Sequence, residues 1–402
     1  MSAASIVLVL NSGSSSLKFQ LLDPTDGAVR ARGIVERIGQ ERASAKIAAG
    51  DDEHRWEGAA ADHVAAMGVV QELLTQVGLS LTDGSVRAVG HRVVQGGSRF
   101  SEATPIDDAV RDAIRELGEL APLHNYAAVD GIDAARALLP QVPHVAVFDT
   151  AFFTDLPAAA HTYAIDREVA AEHAIRRYGA HGTSHRFVSE ATAQLLAAQG
   201  RDVSDLRQIV LHLGNGASAS AVRGGRPVDT SMGLTPLEGL VMGTRSGDID
   251  PSVYVHLSRR AGMSPDEVDQ LLNKRSGMLG LCGMSDFRDV SEAIAAGDEA
   301  ATLAMEVYIH RLRKYLGAYT FVLGGLDALT FTAGIGENDD EVRERLLTGL
   351  EDLGIVLDRE ANARRSGEAR IISAPESRVV VLVVPTNEEL AIARQAVEVI
   401  GA

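Results

Sequence analysis

Val7-Leu8-Val9-Leu10-Asn11-Ser12-Gly13-Ser14-Ser15-Ser16-Leu17-Lys18-Phe19-Gln20-Leu21 is an apolar run, a Gly/Ser turn and a second apolar stretch in immediate succession. It reads as strand, turn, strand. Ile6 to Leu10 is a continuous β-branched and leucine run, as expected of a strand buried on both faces. Gly13 supplies φ freedom and lets a ligand approach the backbone. Ser12, Ser14, Ser15 and Ser16 are expected to turn their hydroxyls, with several backbone N–H groups, into one small space. Such a concave row of donors suits phosphate oxygens. Asn11 and Lys18 flank it, one a neutral ligand and one a point charge. By itself the stretch is either this cradle or an ordinary hairpin with a polar turn.

Two further stretches repeat the pattern. The strand Gln208 to Leu213 enters Gly214-Asn215-Gly216-Ala217-Ser218, and Leu329 to Thr332 enters Ala333-Gly334-Ile335-Gly336-Glu337-Asn338, read as a Gly turn before a helix over 339–351. Three Gly-rich turns after strands suit a nucleoside triphosphate, two for phosphates and one for the nucleoside. No G-x-x-x-x-G-K-[ST] occurs, and no G-x-G-x-x-G follows the first strand, so the phosphate fold is a different one.

Between the turns, residues 5–35 read as successive strands and 36–58 as a polar, irregular surface excursion holding Trp56. Residues 59–77 have helical spacing, with Val64, Met67, Val70, Leu73, Leu74 and Val77 on one face. Val86 to Val94 and His144 to Phe148 read as strands. Helices are expected over 106–120, 124–139, 184–198 and 298–324. Val379 to Val384 is another apolar strand, and Pro385-Thr386-Asn387-Glu388-Glu389 starts a last helix with acids in its first turn. Two similar halves of alternating strands and helices imply an α/β architecture with a cleft between two lobes.

Composition narrows the partners. The 402 residues are 46% hydrophobic and carry a formal net charge of −17. That field argues against nucleic acid or an anionic membrane as partner. A single cysteine, Cys282, fits a reducing compartment. No signal peptide and no membrane-spanning run is visible, so a cytoplasmic protein is expected.

The three turns resemble the phosphate-1, phosphate-2 and adenosine motifs of the actin, hexokinase and Hsp70-like ATPase superfamily. More narrowly, the chain resembles the acetate kinase family from end to end. The carrying segments are Asn11 to Lys18, His91-Arg92-Val93-Val94-Gln95-Gly96-Gly97, Pro122-Leu123-His124-Asn125 and Phe148 to Phe153. Tyr178-Gly179-Ala180-His181-Gly182-Thr183-Ser184-His185, His212 to Ser218 and Asp229 to Gly233 follow, then Gly243 to Asp248, Gly334 to Asn338 and Pro385 to Glu389. The resemblance implies the duplicated, two-lobed actin-like (ribonuclease H-like) fold. The first lobe would cover 1–150 and take back 385–402, and the second 151–384, through which the family forms a homodimer. It implies the reaction ATP + acetate ⇌ ADP + acetyl phosphate.

The residue chemistry agrees with that reaction. A carboxylate nucleophile is already ionised at neutral pH, so no general base is needed. Positioning and charge neutralisation are, and guanidinium forks supply both. The resemblance puts Arg92 on the acetate carboxylate, and Arg245 and His181 on the phosphoryl group. It makes Asp149 the catalytic acid that orients metal waters, and Asn11 and Glu388 the positions associated with Mg²⁺, or Mn²⁺ in its place. It assigns ATP or ADP contacts to Lys18, Ser14, Ser16, His212, Leu213, Gly214, Asn215, Gly216, Asp286, Phe287, Arg288, Gly334, Ile335, Gly336, Glu337 and Asn338. His124 would lie near the substrate. His181 and His185 also have the H-x-x-x-H spacing of a metal pair, but Thr183 and Ser184 read as a helix N-cap that leaves His181 outside the helix, and no nearby acid completes a zinc set.

The acyl pocket would comprise Val94, Leu123, Pro236 and Ala180. The family usually carries an aromatic residue in the place of Ala180, so the pocket is expected to be larger or looser, and a propionate-preferring relative is the alternative. A nucleotide-binding module without transfer activity predicts gaps among Arg92, Asp149, His181, Arg245 and Glu388, and all five are present.

Overall fold

The computed structural model describes residues 6–122 and 124–401, which fall into two compact units, 1–154 with 387–402, and 155–386. In the first unit, β1 (Ile6–Gly13) and β2 (Ser16–Leu22) form the hairpin read from the opening stretch. β3 (Val29–Glu36), β4 (Ala43–Ala49) and β5 (Asp52–Gly58) continue the sheet antiparallel. β6 (Val86–Val93) and β8 (His144–Phe148) join parallel on the other side of β1, and β7 (Thr104–Pro105) closes the edge. Among the described residues this gives an eight-stranded sheet, β5-β4-β3-β2-β1-β6-β8-β7.

The second unit repeats that order. β9 (Arg207–Leu213), β10 (Ala217–Arg223) and β11 (Arg226–Thr230) are antiparallel neighbours. β12 (Ala328–Thr332) and β14 (Val380–Val383) add parallel to β9, with β13 (Arg370–Ile371) at the edge. The order β11-β10-β9-β12-β14 thus matches β3-β2-β1-β6-β8. The α/β architecture in two similar halves, expected from the alternation of strands and helices, is present.

Helices seal the sheets. Leu8, Leu10, Leu17, Phe19 and Leu21 pack with Val70, Leu73 and Leu74 of helix His63–Gln76 in one buried cluster. Each such side chain contributes about 1.5–3 kcal/mol on burial. Ile209, Leu211 and Leu213 share a second cluster with Tyr308, Leu312 and Leu316 of helix Glu299–Leu323.

Several expectations need correction. Residues 36–58 are not irregular: they hold the β4–β5 hairpin. Its small and polar residues (Ala43-Ser44-Ala45-Lys46, Asp52-Glu53-His54-Arg55) give hydrophobic alternation too weak to be read as strand. Val64 is 59% exposed and does not join the buried face of its helix. The third turn is a short helix, Ala333–Asn338, and the next is Asp340–Leu347. The four serines do not share one space. Ser14 and Ser15 form the exposed hairpin tip, and Ser12 packs where a β-carbon on Gly131 would collide with its hydroxyl.

Candidate active site

The residues in question gather where parallel strands end, as ligands do in open α/β sheets. In the first unit these are Asn11 near the end of β1, Arg92 near the end of β6 and Asp149 just past β8. Arg92 donates from Nη2 to Asp149 Oδ2 at 2.8 Å and from Nε to both carboxylate oxygens at 3.1 and 3.2 Å. The same Nη2 lies 3.6 Å from Glu388 Oε2. Glu388 opens the last helix, whose Asn387 cap accepts from Leu390 N. Asp149 beside it strengthens the hold of Arg92 on its proton. Burial pushes the Glu388 carboxyl up to about 7, a rise that Arg92 opposes and Asp149 reinforces. Two acids thus share one guanidinium. Lys18 is exposed and pairs across the strands with Asn11. Val94 is half-buried, and Leu123 lies outside the described residues.

In the second unit His181 itself occupies the N-cap of helix Gly182–Ala198, with φ 57°. The Thr183–Ser184 cap read from the sequence therefore lies two to three residues too late, and a β-carbon-bearing residue is held in the left-handed region at a cost. His181 Nδ1 meets Ser218 Oγ at 2.9 Å, and its ring stacks on His212 with centroids 4.2 Å apart. Ser218 Oγ also meets His185 Nε2 at 2.7 Å, and His185 Nδ1 meets Ser220 Oγ at 2.8 Å. Burial, and then His212, hold the His185 pKa well below its ordinary value, so its ring is neutral. The H-x-x-x-H pair thus converges on a serine, and no group of three His, Cys, Asp or Glu suited to a metal occurs among the described residues.

Arg245 donates to Pro236 O at 3.2 Å and forms no ion pair among the described residues; burial lowers its pKa. A β-carbon on Gly216 would stand 3.5 Å from Arg245 Nη1 and 3.6 Å from His181 Nε2. The cation, the imidazole and the glycine turn between β9 and β10 therefore meet at one residue.

A cavity of about 820 Å³ in this unit is lined by Gly214, Asn215, Asp286, Arg288, Ile335 and Asn338, among others. Segments some 120 residues apart in sequence share it. Not every expected residue faces it. Leu213 is fully buried away from it, whereas Phe287, 5% exposed, lines the cavity while its ring packs edge-on against Tyr308. Asp286 caps its own helix and pairs with Arg288. Glu337 turns inward: its Oε1 accepts from Ala333 N at 2.8 Å and Thr386 N at 3.0 Å. Ala180 is 2% exposed within the hydrophobic core, not an open pocket wall.

Sequence reading missed several supports. Arg343 is 1% exposed and donates to Gly336 O and to Asn362, pinning helix Ala333–Asn338. Its signal was an arginine on the same helical face as Val342, Leu346 and Leu347. Arg311 donates to Gly239 O and Asp248 O, and Tyr315 to Asp248 Oδ2, tying both ends of the loop that presents Arg245. Ser285 and Arg365 line the cavity without any motif to mark them.

Comparison with known proteins identifies the family. The family model described as the acetokinase family matches residues 6–394. An acetate kinase from Leifsonia xyli is 57% identical over 405 residues, covering 99% of this chain and 100% of that one. The crystal structure of an acetate kinase from Porphyromonas gingivalis superposes with a TM-score of 0.94 at 42% identity, covering 99% of this chain and 100% of that one. That of a propionate kinase from Francisella tularensis gives 0.90 at 41%, covering 98% and 99%. The chain belongs to the acetokinase family.

Proposed function

We propose that the chain is a kinase that moves the γ-phosphoryl group of ATP reversibly to acetate, giving acetyl phosphate and ADP. The observation that carries this is the meeting of Arg245 and His181 at Gly216, in the unit whose cavity joins the phosphate-2 and adenosine segments. An acetate oxygen attacks the γ-phosphorus as the bond to the β–γ bridging oxygen breaks, and ADP leaves with that electron pair. Arg92 binds the acyl carboxylate. Arg245 and His181 Nε2 bind the equatorial phosphoryl oxygens, where charge spreads during transfer. Ser218 holds His181 Nδ1, so Nε2 is the nitrogen that reaches the phosphoryl group. The hydrogen bonds of Asp149 orient Arg92.

The oxygen donors Asn11, Glu388 and Asp149 fit Mg²⁺, a hard cation. Asp149 and Glu388 share the one guanidinium of Arg92, so this end of the unit has room for a further positive charge, which a divalent cation would supply. When bound, Mg²⁺ neutralises phosphate charge. The reading extends to a homodimer through 151–384 and to the cytoplasm, with which the single cysteine is in keeping. No helix among the described residues is long and apolar enough to cross a membrane.

The test is acyl phosphate trapping. With ATP, Mg²⁺ and acetate, hydroxylamine should convert the product to hydroxamate in step with ADP release. ADP release without hydroxamate would refute the transfer. Propionate is the second reading, favoured by the likeness to the Francisella propionate kinase; Ala180, buried in the core, no longer argues for it. Comparing kcat/KM for acetate and propionate decides it: a higher value for acetate is expected, and a higher value for propionate would replace acetate as the acceptor.

A further inference from the structure

The first unit carries a cationic face that the phosphoryl transfer leaves unexplained. Direct cross-strand partners lie on the same face of a sheet. The register aligns Asn11, Lys18, Ile34, Lys46 and Arg55 across β1 to β5. The next row is Val9, Gln20, Arg32, Ala48 and Glu53. With strands about 4.8 Å apart, Lys18 and Lys46 stand about 10 Å apart, with Arg32 beside them. All three are exposed, and none forms an ion pair among the described residues. Arg55, by contrast, is held by Glu53 at 2.9 Å. Apart from Arg55, both rows line a groove of about 630 Å³ that Glu389 also borders.

The chain's net charge of −17 repels anions at long range, and every substrate of the proposed reaction is an anion. In this concavity Lys18, Arg32 and Lys46 stand against Glu389 and the Arg55-held Glu53, a local excess of positive charge beside Asn11. We propose that this groove is a capture site for phosphate-bearing substrates, holding them by charge before they reach the turn of Asn11 and Lys18. The proposal rests on the kinase reading. The cationic heads stay hydrated, so capture is weak, fast and screened by salt.

The test is an Arg32→Gln/Lys46→Gln double variant, whose side chains make no internal ion pair for folding to lose. Its kcat/KM for acetyl phosphate should fall roughly 3–10-fold at about 20 mM ionic strength and converge on wild type near about 400 mM, where charges are screened beyond about 5 Å. Lys274→Gln makes a charge change elsewhere and should not alter the salt profile. Identical profiles for wild type and double variant, or an equal loss in Lys274→Gln, would overturn the proposal. Pyrophosphate titrated by calorimetry at low salt should bind the double variant more weakly than wild type. Equal affinity would overturn capture even if no turnover is seen, whereas absent turnover with the binding difference intact would count against the kinase reading alone.

Discussion

Arg92 is where stability and chemistry meet in one side chain. Its guanidinium is the cation against Asp149, whose side chain is 2% exposed, and lies near Glu388 as well. Removing it leaves a buried carboxylate without a counter-charge, a change that costs about 3–5 kcal/mol. Arg92→Ala should therefore lose that much in denaturant unfolding and on the order of 10²–10³ in kcat/KM for acetate. Arg92→Lys should recover much of the stability, because the charge remains, but little of the activity, because the fork is gone. Unchanged unfolding of the alanine variant would show that Asp149 does not depend on this pair. The site residues legible in the sequence were those whose neighbours spell a motif: Arg92 before Val93-Val94-Gln95-Gly96-Gly97, Arg245 between Thr244 and Ser246. Glu337 was legible as a position but not in its direction, since its partner Thr386 lies 49 residues away. Arg343 stood out as an arginine on an apolar helical face but not in its task, because nothing local says that a carbonyl at Gly336 awaits it.

At the scale of elements, β6 and β8 are joined inside the sheet by two histidines. His144 donates from Nε2 to Leu139 O at 3.2 Å, so its Nδ1 accepts from His91 Nε2 at 3.0 Å. Burial lowers both pKa values, that of His91 well below the ordinary 6.5, where His144 adds to the effect. The unfolded chain takes up these protons near 6.5 and the folded chain does not. The contribution is therefore complete above about 6.5 and is lost as pH falls below it. The thermal midpoint should drop between about pH 7.5 and 5.5, and less steeply in a His91→Leu/His144→Leu variant. Parallel pH slopes in the two proteins would refute this. Elements with strong apolar periodicity, such as β1, β9 and helix Glu299–Leu323, were readable in the sequence. The β4–β5 hairpin was not, because its open face carries Lys46, Arg55 and Glu57 while its other face mixes Ala43, Ala45 and Ala49 with His54 and Asp52, leaving only Ile47 and Trp56 as large apolar residues. The helix Ala333–Asn338 was masked by its glycines, and it forms because Glu337 and Arg343 fix its two ends.

For the whole molecule, the open question is what covers helix Ser252–Ala261. Ten residues fall short of the roughly 12–15 at which an isolated helix becomes even marginally stable in water. Yet none of them is buried, and Val253, Tyr254 and Val255 are 38%, 38% and 41% exposed, with Ile249 at 39% just before them. Exposed apolar side chains spread around a helix with no buried residue need a partner surface. In the homodimer proposed through the second unit, the same helix on another copy provides one by two-fold symmetry. Light scattering after gel filtration should thus give twice the 42.5 kDa chain mass for the wild type. A Tyr254→Asp/Val255→Asp variant should run at the single-chain mass, because buried carboxylates on both sides of a symmetric contact repel and are costly to dehydrate. A wild type of single-chain mass at micromolar concentration would refute the dimer. A variant that stays dimeric would move the contact off this helix, toward Leu303, Phe321 and Val322 on helix Glu299–Leu323, which are 57%, 88% and 51% exposed.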